Sequence, residues 1–74
     1  MHYDLDIPNR FSYHPPTGDQ PQRYERIREA GQRFVQLLAE LCPSSPELSR
    51  AVTHVDEAVM NANAAIARHK GGAA

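Results

Sequence analysis

The chain has one cysteine in 74 residues, which excludes an internal disulfide. No cluster of cysteine and histidine has the spacing of a structural zinc site. Charge of one sign is missing too: eight Lys and Arg against nine Asp and Glu leave a net charge of −1 and a pI near 6.4. That balance argues against a long DNA or RNA partner, which calls for a strongly basic face. No apolar run is long enough to cross a bilayer, and the opening MHYDLDIPNR lacks the apolar core of a secretory signal. A Gly-rich phosphate loop, a CxxC pair and a nucleophile with its base are also missing, so the chain is expected not to be an enzyme. With a free thiol and no targeting segment, an intracellular location is the simplest expectation. A single domain this small buries only about 60% of the surface its unfolded form exposes. Without a disulfide or metal, self-association is the remaining supplement to its stability.

What is present is a strong helical period. Leu48, Val52, Val55, Val59, Ala62 and Ile66 recur at steps of four and three, which sets them on one apolar seam. Ala51, Ala58 and Ala65, each one position earlier, widen that face and let another helix approach closely. Ser45 reads as an N-cap with Pro46 at the first helical position, and Gly71 and Gly72 stop the helix, which is expected over residues 46–69. Upstream, Tyr24, Ile27, Gly31, Phe34, Leu38 and Leu41, flanked by Ala30, Val35 and Leu37, mark a helix over residues 20–41. Asp19 is its expected N-cap, and Pro21 falls where a missing N–H costs nothing. Gly31 interrupts the stripe. An interior glycine costs about 1 kcal/mol relative to alanine, so it marks either a close approach or simple tolerance. The connecting CPSSP is short, which makes the helices antiparallel neighbours, each roughly 33 to 36 Å long. The fold class is therefore all-α, a two-helix hairpin. Two helices cannot hide stripes this wide, so the hairpin is expected to assemble into a homo-oligomeric helical bundle.

Three parts are expected: an arm and loop over residues 1–18, the hairpin over 19–70, and a tail over 71–74. Tyr3, Leu5 and Ile7 alternate with Asp4 and Asp6, the pattern of a short extended arm ended by Pro8 that orders only against a neighbouring subunit. FSYHPPTG follows, and Pro15 and Pro16 stiffen it. Its rings, Phe11, Tyr13 and His14, either pack across the end of the hairpin, the reading the segment alone favours, or stack on a flat ligand. Arg23, Arg26, Arg28 and Arg33 come next, with Glu25 and Glu29 interleaved as in an ordinary solvated face. Guanidinium forks directly after such a ring-bearing loop also suit a small phosphorylated ligand that contains a base. On the second helix, Asn61, Asn63 and Arg68 form a polar cluster that reads base edges, bonds across an interface or faces solvent. Cys42, before Pro43, reads as a buried filler. His54 and Glu57, three apart, are too few ligands for a carboxylate-bridged metal site, and no metal is expected.

YHPP, the RYxxIR pattern at residues 23–28 and EAVMxANAAIAR at residues 57–68 together carry a resemblance. In this order and spacing they resemble the small phage sponge proteins that defeat cyclic-oligonucleotide-based antiphage signalling (CBASS), whose hairpin domain is shared with anti-Thoeris sponges. The resemblance covers about residues 9–69. It implies a hairpin assembled into a compact hexamer in the cytoplasm of an infected bacterium. Such a protein binds cyclic di- and trinucleotides, such as 3′,3′-cGAMP, without cleaving them, needs no cofactor and keeps the downstream effector off. Carried over, Tyr13 and His14 are stacking groups near Phe11, and Arg23 or Arg28 holds the phosphates at a pocket between subunits that includes Tyr24 and Arg26. Arg68 belongs to a separate site where symmetry mates converge, suited to cyclic trinucleotides. Asn61 departs from the pattern, which often has tryptophan there, so a large apolar contact is lost at the interface or ligand site. Two alternatives stand beside this reading: a gcADPR-binding sponge of the Thoeris type, and a small helical adaptor that meets a protein partner.

Overall fold

The backbone of the computed structural model, which describes residues 5–69, is helical: α1 (Ile7–Arg10), α2 (Gln20–Leu41) and α3 (Pro46–Arg68), with no strand among the described residues. Gln20 meets Ile66 and Gly31 meets Val59, so α2 and α3 run antiparallel, as the short turn requires. Among the described residues, no helix is long and apolar enough to cross a membrane.

The start of α3 follows its sequence signal. Ser45 is extended, and its Oγ accepts a hydrogen bond from the Leu48 N–H at 3.1 Å, with Pro46 in the first turn. Gly71 and Gly72, read as the stop, lie outside the described residues. The helix ends at Arg68, and two distant side chains cap that end. Gln20 Nε2 donates to the Ile66 carbonyl and Asn9 Nδ2 to the Arg68 carbonyl, each at 3.1 Å. Helix C-termini leave four carbonyls without an intrahelical partner, and these two bonds satisfy two of them.

The start of α2 corrects an expectation. Asp19 makes no side-chain cap, because its backbone (φ −89°, ψ 6°) is not the extended form that aims an N-cap oxygen at the first turn. Pro21, one of the two usual N–H targets, has no hydrogen to give. The turn is closed instead by Gln20, whose N–H donates to the Thr17 carbonyl while its Oε1 accepts from the Thr17 N–H, both at 3.0 Å.

The arm also differs from its expected form. Tyr3 and Asp4 lie outside the described residues, but residues 7–10 make one helical turn instead of an extended strand. Arg10 N–H donates to the Asp6 carbonyl at 3.0 Å, and Asp6 itself takes the left-handed conformation (φ 50°). Pro8 fits the first turn of such a helix, where no amide hydrogen is required. Through Asn9 this turn is fastened to α3 of its own chain.

Cys42 is exposed, not buried. Its backbone has already left the helix for the extended region at the hairpin apex, so its thiol faces solvent instead of the inter-helix seam.

Packing between α2 and α3 is shallow. No hydrophobic side chain is fully buried among the described residues, and the seam residues Leu48, Val52, Val55, Val59, Ala62 and Ile66 are all only half-buried. The radius of gyration is 15.2 Å, against about 11 Å for a compact domain of this length. The accessible surface, 6225 Å², is about a third larger than expected for a folded monomer of 8.3 kDa.

At Gly31 the two helices approach closely. A Cβ there would lie 2.7 Å from Val59 Cγ2. Valine has one strongly preferred rotamer in a helix and cannot swing away cheaply. Gly31→Ala is therefore expected to lose about 1–2 kcal/mol despite its better helix propensity. Chemical denaturation at fixed protein concentration measures this, and Val59→Ala in the same chain should restore part of the loss. A stabilised Gly31→Ala protein would mean the helices separate freely at this point.

Candidate functional site

The steps of three and four that build the apolar stripe of α2 also place three arginines along one flank of it. Arg23, Arg26 and Arg33 line a groove of about 800 Å³, in the usual size range for ligand sites. Its floor is an apolar shelf of Ile27 and Ala30 from α2 with Ala62, Ala65 and Ile66 from α3, and His69 closes its end. Glu29 is the one carboxylate in the lining. Among the described residues, Arg26 and Arg33 make no ion pair. Arg23 is partly engaged: its Nε is 3.3 Å from Asp19 Oδ1, near enough to pair yet not aligned for a hydrogen bond. The small side chains of Ala62 and Ala65 keep the shelf flat, and a flat apolar floor beside guanidinium forks accepts a ring system that carries anionic groups.

Toward the apex the groove continues into an apolar one of about 600 Å³, lined by Phe34 and Leu38 on α2 and by Ala51, Val55 and Ala58 on α3. Arg28 is elsewhere. Two residues beyond Arg26, it is about 200° around the helix and lines a third groove of about 510 Å³ with Gln32, Gln36, Thr53 and Asp56.

The aromatic loop does not pack across the hairpin end, contrary to the reading its composition favours. Phe11 and Tyr13 are 85% and 84% exposed, and neither lines any of these three grooves. Only His14 turns inward: its Nε2–H donates to the Asn9 carbonyl at 2.7 Å, which leaves Nδ1 as the acceptor of the neutral ring. The loop is held by the backbone bonds of Asn9 and Gln20, and its rings remain free to meet something outside the protomer. Pro15 and Pro16 hold His14 and Pro15 in extended backbone just after those rings.

Tyr24 is half-buried on α2 and outside the arginine groove. Asn61 is exposed, and its Nδ2 donates to the Glu57 carbonyl one turn back at 2.9 Å. Its amide oxygen faces outward for other partners. Arg68 is half-buried at the capped end of α3 and does not line the groove. His54 Nδ1 lies 3.8 Å from Glu57 Oε2, both exposed, and no third metal-ligating side chain joins them among the described residues.

The structure thus brings Arg23 and Arg26 together and sets Arg28, Arg68 and the two exposed rings apart from them. It also singles out Arg33 from the arginine run and adds His69. Arg33 is seven positions after Arg26, a spacing that returns to the same face, so its place was open to helical reckoning. His69 joins only because the register of the hairpin carries the end of α3 beside the start of α2.

One protein-family model, described as Acb2/Tad1, hairpin domain, matches residues 4–67, nearly the whole chain. No individual curated protein and no solved structure matches it.

Proposed function

The chain belongs to the Acb2/Tad1 hairpin-domain family, the family of anti-CBASS and anti-Thoeris sponge proteins, which bind rather than cleave; on that premise we propose that it captures cyclic oligonucleotide messengers stoichiometrically in the infected bacterium. The ligands are cyclic dinucleotides such as 3′,3′-cGAMP and cyclic trinucleotides, and their capture keeps the CBASS effector inactive.

The observation that carries this reading is the arginine groove. A cyclic dinucleotide is a ring of two phosphodiesters with two flat bases. Its phosphates match the forks of Arg26 and Arg33, and its apolar faces match the shelf of Ile27, Ala30 and Ile66. Of the two phosphate-holding candidates, Arg23 shares its groove with two further arginines while Arg28 stands with one carboxylate and two amides, which favours Arg23. Tyr13 and Phe11, exposed in their own protomer, reach the groove of a neighbouring copy and stack on the bases. The apolar groove around Phe34 and Leu38 is covered by further copies, giving a hexamer in which ligand sites form between subunits. Arg68 serves a second site for trinucleotides where copies converge.

Calorimetry with 3′,3′-cGAMP and cyclic triadenylate should give submicromolar binding and raise the thermal midpoint as free ligand exceeds the dissociation constant. Chromatography after denaturation should return each ligand intact. Recovery of linear or hydrolysed product would place the chain among enzymes. The exposed apolar groove also favours a second reading, an adaptor that docks a protein partner. Light scattering that shows a monomer, together with indifference to every cyclic nucleotide, would favour it.

A further inference from the structure

The arginine groove ends at His69, the residue that follows the last turn of α3, and this histidine lines the same surface as Arg23, Arg26 and Arg33. Resting on the sponge reading above, we infer that His69 is a further ligand-binding residue and that it makes the capture of a cyclic nucleotide dependent on pH. A phosphodiester keeps its single negative charge across the range in which proteins stay folded, and arginine stays protonated there too. Neither the phosphates nor the guanidinium groups change charge between about pH 5 and 8; of the residue types around this groove, only histidine ordinarily does.

Among the described residues, the charges near His69 come from three elements. From α2 they are Arg23 with its partner Asp19, then Arg26, Glu29 and Arg33. On α3 the neighbour is Arg68, and the N-terminal segment brings Asp6 close through Asn9, which donates to both Asp6 Oδ2 and the Arg68 carbonyl. With His69 neutral, the lining presents three cations and one carboxylate to an incoming anion; with it protonated, four cations face that carboxylate. An anion in the groove is held better by imidazolium than by imidazole. Binding therefore takes up a proton, and affinity is higher where His69 is protonated than where it is neutral. His69 is exposed and water screens it, so the gain is about two- to fivefold in affinity.

The test is calorimetry of the full chain with 3′,3′-cGAMP at about pH 5.5 and 8 and at constant ionic strength, repeated at about pH 6.5 in two buffers of different ionisation heat. The native chain should bind about two- to fivefold more tightly at the lower pH and should take up protons on binding. His69→Gln should bind at low pH as weakly as the native chain does at high pH, with the proton uptake gone. His69→Lys should bind tightly at both. A pH response or proton uptake that survives His69→Gln overturns this inference while leaving the sponge reading intact. Absence of binding at every pH overturns both.

Discussion

Reversing two charges, Arg26→Glu with Arg33→Glu, is expected to weaken capture of 3′,3′-cGAMP by more than about 100-fold. Each charge-assisted contact to a phosphate contributes about 1.5–3 kcal/mol where water is excluded. A tenfold change in affinity corresponds to about 1.4 kcal/mol, so two such contacts cover about two to four decades, and partial exposure of the groove sets the lower end. Both side chains are exposed and unpaired among the described residues, so the double substitution should leave helicity intact by circular dichroism. Arg28→Glu, on the other flank, should change binding of the same ligand by less than about threefold, the effect of a screened charge at a distance. The reverse pattern, with Arg28 decisive and the pair silent, would move the phosphate site to the third groove.

Phe34→Glu should separate the copies and lower the thermal midpoint by about 10 °C or more. In the isolated hairpin Phe34 is 51% exposed, and replacing it there would sacrifice only part of one side chain's burial. Beneath a second copy the new carboxylate would be buried without a partner, which costs several kcal/mol. For a domain of this size each kcal/mol moves the midpoint by about 4–8 °C. The native protein should accordingly melt at lower temperature as it is diluted, because assembly stabilises only the folded state. A Phe34→Glu chain with an unchanged midpoint and unchanged light scattering would show that this face looks onto water.

Local signals on the two long helices were legible because each is self-contained. The period of three and four placed α2 and α3 within a residue of their observed ends, and Ser45 caps as its sequence context indicates. Asp19 did not, because the actual closure of that turn depends on a glutamine that also reaches across to Ile66, a contact 46 positions away. The helical turn at residues 7–10 was hidden for the same reason: its anchor, Asn9, meets Arg68 across 59 positions. The site divides likewise. Arg23, Arg26 and Arg33 share a face by helical spacing alone, and the separation of Arg28 follows from the same arithmetic. His69 needed the register of the hairpin, and the exposure of Phe11 and Tyr13 needed the path of a proline loop that no periodicity describes.

Cys42 has a practical consequence. It is the single thiol of the chain, it faces solvent at the apex, and it stands nine positions from Arg33, the nearest arginine of the groove, a separation of about 13 Å. A compact nitroxide attached there reports from the tip, outside the lining of the arginine groove. When labelled copies gather, the spread of tip-to-tip distances tells whether neighbouring hairpins point the same way or in opposite directions.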